Sequence, residues 1–241
     1  MYGWRARIGL ITPMGDNIEH AFHKYAPEGV SFASTKIPLP DPTFEQCRDA
    51  YLDTLEQVSC LYKETDIDLL LLGCTFGSYN RDIEWEQACA DRMEKASNIP
   101  STTSNLTVLE AFNTLNVHKC AILTPYLDSE NEKERKYWES NGISVTSISG
   151  MNVDAITRNG KTIYSDADEY FIYQNAKKVH LDDADAVYLD CIQLTTLEII
   201  DGLEGFYQLP VITSQQAALW GAVRRCRVGA KLPQLGKLFT M

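Results

Sequence analysis

The chain has 241 residues, is 44% hydrophobic and 23% charged, and carries a formal net charge of −11. That is enough for one large domain or two small ones, and the absence of any basic stripe excludes nucleic acid as the expected partner. No apolar run reaches the roughly 18 residues of a membrane span, so no membrane partner is expected. The seven cysteines are odd in number and lack paired spacing, and the N-terminus shows no signal-like apolar region. A cytoplasmic, reducing setting fits better than a disulfide framework.

Arg7 to Pro13 reads as a first strand stopped by Thr12-Pro13, and Asn17 through Tyr25 as a helix with Glu19 in its first turn. Val30 to Ile37 is a second strand, broken by Pro38, Pro40 and Pro42. Thr43 to Lys63 carries a helical apolar stripe through Phe44, Cys47, Tyr51, Leu55 and Val58. Leu69 to Leu72 form an apolar run too short for most helices and suited to a parallel strand buried on both faces. Trp85 to Ser97 reads as a helix, Ile99-Pro-Ser-Thr-Thr-Ser as a short strand and turn, and Asn105 to Leu115 as another helix.

At Val117 the pattern begins again. Lys119-Cys-Ala-Ile-Leu-Thr-Pro125 echoes Arg7-Ile-Gly-Leu-Ile-Thr-Pro13, offset by 112 residues. Asp183-Ala-Asp-Ala-Val-Tyr-Leu-Asp-Cys191 echoes Asp66-Ile-Asp-Leu-Leu-Leu-Leu-Gly-Cys74, offset by 117. Leu209-Pro-Val-Ile-Thr-Ser214 echoes Ile99-Pro-Ser-Thr-Thr-Ser104, offset by 110. Three echoes in one order predict a duplication. The fold class is α/β, with two pseudo-symmetric halves, each a small parallel sheet flanked by helices. Residues 1–115 with about 215–241 make the first half, 116–214 the second, and the active cleft lies between them. The helix Gln215 to Arg225 returns to the first half. No Gly/Ser-rich linker separates the halves, so they should pack tightly.

Cys74 and Cys191 sit just beyond equivalent strands. In open α/β sheets, ligands bind at that edge. A pseudo-twofold axis would set the two thiols on opposite sides of one ligand. There they could move protons at a carbon acid, or one could attack carbon while the other moves a proton. The simpler reading of a cysteine is a buried, inert thiol, and it is kept for Cys47, Cys60, Cys89, Cys120 and Cys226. The hydroxyls of Thr75 and Ser78, with the N–H groups around Gly77, could cradle an anion or simply cap the next helix. The same donors and a helix dipole should depress the Cys74 pKa, while Asp190 should raise that of Cys191.

These residues carry a family resemblance over almost the whole chain. Gly-Leu-Ile-Thr-Pro with Asn17 shortly after, Gly73-Cys74-Thr75 with Ser78, Thr124-Pro-Tyr126, Gly150-Met-Asn152 and Asp190-Cys191 resemble the aspartate/glutamate racemase superfamily. Within it they are similar to the branch of maleate cis-trans isomerase and arylmalonate decarboxylase. The resemblance implies catalytic Cys74 and Cys191. It also implies substrate-binding Asn17, Thr75, Ser78, Tyr126 and Asn152, no metal and no cofactor. Arylmalonate decarboxylases have glycine at the first cysteine position, so a chain with both cysteines leans towards isomerases and racemases. Phe76 stands where a serine or small polar residue is common. The activity implied is a cofactor-independent isomerase or racemase of a small carboxylate or dicarboxylate, best matched to maleate isomerisation. The alternatives are an arylmalonate-type decarboxylase, an amino-acid or hydantoin racemase, and a non-catalytic carboxylate-binding protein.

For Tyr126 and Asn152 the plain alternatives are a half-buried loop tyrosine and a turn-former beside Gly150. His20 and His23 lack further ligands for a zinc site. No Gly-x-Gly-x-x-Gly follows a strand and no Walker sequence occurs. Glu130-Asn-Glu-Lys-Glu-Arg reads as an exposed helix face, and Asp182-Asp183 with Asp185 as a solvated strand entrance. Trp4, Tyr51 and Tyr62 leave a homo-oligomer open, core packing being their simpler use.

Overall fold

The structure is a computed structural model that describes residues 2–13, 16–38, 48–79, 82–151, 153, 157–158, 161–162 and 164–241. The expected positions Asn152, Pro40, Pro42, Phe44 and Cys47 lie outside the described residues. The first half runs β1 (Ala6–Thr12), α1 (Asn17–Tyr25), β2 (Val30–Lys36), α2 (Arg48–Cys60), β3 (Leu69–Leu72), α3 (Ile83–Ser97), β4 (Ser101–Thr103) and α4 (Ser104–Leu115). Its strands form a parallel sheet in the order β2-β1-β3-β4. The second half runs β5 (Lys119–Thr124), α5 (Asp128–Ser140) and β6 (Ser144–Gly150), then the short antiparallel pair β7 (Thr157–Arg158) and β8 (Lys161–Thr162). α6 (Glu169–Ala176), β9 (Ala186–Leu189), α7 (Ile200–Tyr207) and β10 (Val211–Thr213) follow, and α8 (Ser214–Arg225) comes after β10. The parallel sheet of this half has the matching order β6-β5-β9-β10.

The sequence echoes are the joints of each half. Asp68 accepts the Arg7 N–H at 2.8 Å, and Asp185 accepts those of His118 and Lys119 at 2.9 and 2.8 Å. Asp66 pairs with Arg7, and Asp183 with Lys119. Each Asp-x-Asp therefore pins the start of its neighbouring strand, which explains why an acidic pair recurs at a strand entrance. The helices before β4 and β10 end alike, with Asn98 and Gln208 in the left-handed region (φ 60° and 58°). The Pro100 and Pro210 carbonyls then accept from Leu70 and Val187 at 2.9 and 3.0 Å. Thr103 and Thr213 cap α4 and α8 by accepting from Leu106 and Gln216.

All four residues of β3 and of β9 are buried, as a strand covered on both faces demands. One hydrophobic cluster runs through both sheets, from Ile8, Leu10, Leu69 and Leu71 to Ile122, Val187 and Leu189. α8 packs against α4 and touches both β3 and β10. Tyr51 and Tyr62 are core residues, whereas Trp4 is exposed. α5 departs from the expected exposed face. Glu132–Lys136 and Arg135–Glu139 do pair along its outside, yet Asn131, Glu134, Tyr137 and Trp138 are buried. The reason is the aromatic body of Tyr137 and Trp138, which turns Glu134 into the core with it. Among the described residues no helix is long and apolar enough to cross a membrane.

Candidate active site

Cys74 follows β3 by two residues. A Cβ at Gly73 would meet the terminal methyls of Ile18 and Leu10 at 3.0 and 3.1 Å, so glycine lets both pack closely against the strand end. Thr75 then leads into a single 3-10 turn, Phe76–Ser78, whose Phe76 and Gly77 N–H groups bond the Cys74 sulfur. Asn105, the second residue of α4, holds this turn from behind by donating to the Thr75 carbonyl at 3.1 Å and to Glu86 at 3.0 Å. Ser78 donates to the same Glu86 oxygen.

Cys191 follows β9 in the same way but with a left-handed backbone, φ 88°. For a residue with a side chain that conformation is strained. The Gln193 N–H and the Tyr126 hydroxyl favour the Cys191 anion, while the preceding Asp190 opposes it. Among the described residues the buried Tyr126 hydroxyl has no hydrogen-bond partner besides the Cys191 thiol. Tyr126 is set by its own turn. Its N–H bonds the Thr124 hydroxyl at 3.1 Å, and that hydroxyl donates to Asn131 of α5 at 2.5 Å. Asp190 is fully buried and takes Tyr188 and Ser214 hydroxyls at 2.6 and 2.7 Å.

The two cysteines share the lining of one cavity of about 90 Å³. One water needs roughly 15 Å³ on this measure, so the space suits a small acid. Thr75 and Tyr126 line it with both thiols, as do Pro13, Phe76, Tyr164, Ile192 and Gln193. The rings of Phe76, Tyr126 and Tyr164 form one wall, with centroids 5.1 and 5.6 Å apart in sequence. Among the described residues no basic side chain contributes, so a carboxylate would be met there by N–H and hydroxyl donors. Ser78 is buried but turned to Glu86, and is absent from the lining. Asn17 is also absent. Its amide donates across the halves to the Gln193 carbonyl and Thr195 hydroxyl, at 3.3 and 3.1 Å, and so steadies the loop after Cys191. Of the other cysteines, Cys89 and Cys120 are buried, Cys226 is half-buried and Cys60 is exposed.

A family model described as arylmalonate decarboxylase matches residues 8–239. The chain belongs to the arylmalonate decarboxylase family. It is 24% identical over 235 residues to arylmalonate decarboxylase of Bordetella bronchiseptica, covering 96% of this chain and 95% of that one. It is 20% identical to a maleate isomerase of Geobacillus stearothermophilus, with 97% of each covered. Its fold matches, at a TM-score of 0.83, 19% identity and 98% coverage of both chains, a cysteine-to-serine variant of Nocardia farcinica maleate cis-trans isomerase with a covalently bound succinylcysteine intermediate.

One expectation for this family member is reversed. The Cys74 pKa is pushed up to about 12, not down, and burial is the largest cause. Two N–H donors only partly offset the loss of solvent. The turn after Cys74 has three residues, and α3 starts only at Ile83, so the expected helix does not begin directly after the sulfur. Burial raises Cys191 as well, and Asp190 adds to it as expected. Sequence reading passed over Tyr164, Glu86, Asn105, Glu134 and Ser214. The echo of Ser104 and Ser214 held a signal for Asn105, since the residues that follow them, Asn105 and Gln215, make equivalent bonds to Thr75 and Ile192. Glu134 shows no such signal. Burial and Asp190 push its carboxyl well above the ordinary range. Among the described residues no three His, Cys, Asp or Glu side chains cluster to hold a metal, and His20 and His23 lie exposed on α1.

Proposed function

We propose that this family member is a cofactor-independent isomerase or racemase of a small carboxylic acid, with Cys74 and Cys191 as its catalytic residues. The supporting observation is two buried thiols on one small cavity between equivalent strand ends. Residues 1–115 with about 215–241 supply the first thiol and 116–214 the second. Tyr126, Thr75 and the turn N–H groups orient the carboxylate. Asn17 acts by ordering the loop beside Cys191, Ser78 by holding the turn beside Cys74, and Asn152 is assigned to the carboxylate through the family resemblance.

The best single reaction remains conversion of maleate to fumarate. The Cys74 thiol gives its proton to water as the substrate enters and takes one back from water when the product leaves, and in between its thiolate adds to one alkene carbon. The neighbouring carbon takes the proton of Cys191, and the adduct rotates about what is now a single bond. The Cys191 thiolate then removes that proton and the C–S bond breaks, releasing the trans acid. Atoms and charges return to their starting state without an added reductant. The succinylcysteine seen in the Nocardia relative is the species this route passes through.

The aromatic wall supports a second reading. Phe76, Tyr126 and Tyr164 would pack an aryl group better than a second carboxylate. Such a substrate would be a substituted malonate, with Cys191 delivering a proton to the enediolate left by loss of CO₂. One experiment separates these readings. The protein is offered maleate, an aryl-substituted malonate and an optically pure 2-arylpropionate, each in D₂O. Fumarate supports the first, CO₂ with deuterated monoacid the second, and racemisation with exchange a two-thiol racemase. Binding without turnover of any of them would overturn the enzyme assignment.

A further inference from the structure

We infer that Glu86 is a positioning residue for Cys74, tying both ends of the Thr75–Ser78 turn and setting the charge against which the thiol ionises. The inference rests on the proposed thiol chemistry of Cys74.

Glu86 lies in the first turns of α3 and is 2% exposed. One of its oxygens accepts both the Ser78 hydroxyl and the Asn105 amide. Ser78 closes the turn. Asn105 uses the same amide nitrogen to hold the Thr75 carbonyl that opens it. The two N–H groups on the Cys74 sulfur belong to the residues between these anchors, Phe76 and Gly77. A carboxylate that grips both ends therefore fixes the donors in the middle.

The other half shows what the carboxylate adds. Gln215 repeats the Asn105 bond, donating to the Ile192 carbonyl at 3.0 Å. The side-chain oxygens of Asn105 and Gln215 are both buried without a hydrogen-bond partner among the described residues, so the difference lies at the amide nitrogen, which bonds Glu86 in Asn105 and no acid in Gln215. The bridge from helix to turn is thus common to both halves, and the carboxylate behind it belongs to the Cys74 side alone.

Among the described residues no cation faces Glu86. The Thr103 hydroxyl and the Asn105 amide favour its charged form, but burial prevails and its pKa rises to about 7. Cys74 beyond β3 and Tyr137 on α5 are the titratable groups that feel its charge, and both are pushed up by it. Near neutral pH Glu86 exchanges its proton, and the buried Cys74 thiol ionises against less opposition when Glu86 is neutral.

Two substitutions separate the roles. Glu86→Gln keeps an acceptor and removes the charge. Asn105→Ala keeps the charge and cuts the tie to Thr75. Iodoacetamide labelling of each cysteine is followed by mass spectrometry between about pH 7.5 and 9, beside kcat and KM on whichever acid turns over. In Glu86→Gln, Cys74 should label about three- to tenfold faster at fixed pH, as loss of a nearby like charge implies, while Cys60 is unchanged. In Asn105→Ala, Cys74 should label more slowly and kcat should fall at least about tenfold with little change in KM. Cys74 labelling within about twofold of wild type in Glu86→Gln overturns the charge role. Wild-type labelling and kcat in Asn105→Ala overturn the positioning role. If Asn105→Ala fails to fold, Glu86→Asp replaces it, since a shortened side chain cannot reach both anchors and should lower kcat likewise. Labelling needs no substrate, so its outcome stands apart from the proposed reaction. The expected shifts without turnover of any acid would reject that reaction and leave the inference in place.

Discussion

The two cysteine corners share a topology and differ in chemistry. Cys74 follows a glycine and a relaxed strand end, with two N–H groups at its sulfur and a carboxylate one step behind. Cys191 follows a buried aspartate, bends through a left-handed backbone, and has one N–H and a tyrosine hydroxyl. The matched halves present two thiols, and the residue before each makes them unequal. Gly73 lets Ile18 and Leu10 pack against the strand end. At the equivalent position Asp190 brings a permanent acceptor for Tyr188 and Ser214. A pair of unequal thiols is what addition at one carbon with proton delivery at the next requires.

The largest effect should come from removing either thiol. Cys74→Ser and Cys191→Ser should each lower turnover at least about a thousandfold while circular dichroism stays native. Near-normal turnover in one variant would reduce the pair to a single working cysteine.

Thiol labelling sharpens the contrast with the surface. With a pKa of about 12 against an ordinary 9, Cys74 of the free protein should alkylate about a thousandfold more slowly at pH 7 than an ordinary thiol. Its rate should climb tenfold per pH unit. If Cys74 labels first at neutral pH, the desolvation argument fails and the thiolate preexists.

Glu86 should leave a mark on stability. Its pKa lies near 7 in the folded protein and near 4.5 otherwise. The folded state therefore holds the proton more tightly, and stability is lost as pH rises from about 4.5 to about 7. The loss is about 3 kcal/mol for this group. Denaturant unfolding across that window should show the slope, and Glu86→Gln should flatten it. Glu134, raised in the same direction, should leave a residual slope in that variant. Identical slopes in both proteins would place the Glu86 pKa near its ordinary value.

The smallest effect compares the corners directly. Glycine removes a buried thiol at either position, but only at Cys191 does it also relieve a positive φ. Cys74→Gly should therefore cost about 1 kcal/mol more stability than Cys191→Gly, read as the difference in unfolding midpoints at constant denaturant slope. Equal losses would mean that the left-handed turn at Cys191 carries no strain.

Much of the fold was legible because parallel strands and their turns write themselves locally. The four-leucine run of β3, the Asp-x-Asp entrances, the Pro before β4 and β10, and the repeat of all three determined two matched α/β sheets and put Cys74 and Cys191 at equivalent strand ends. Asn17, Thr75 and Tyr126 could be singled out by motif, yet only packing shows Thr75 and Tyr126 on the cavity and Asn17 turned to Gln193 and Thr195. Glu134 looked like one more surface acid, because a run of charges does not reveal which face of α5 the neighbouring Tyr137 and Trp138 will drag inward. Glu86 and Asn105 lie 19 residues apart and meet only through the packing of α3 against α4. The ionisation of Cys74 was decided in the same way. Its neighbours in the chain promise a stabilised anion, and the depth at which the folded halves bury it reverses the sign, because desolvation depends on everything packed around the sulfur and local sequence supplies only two of its donors.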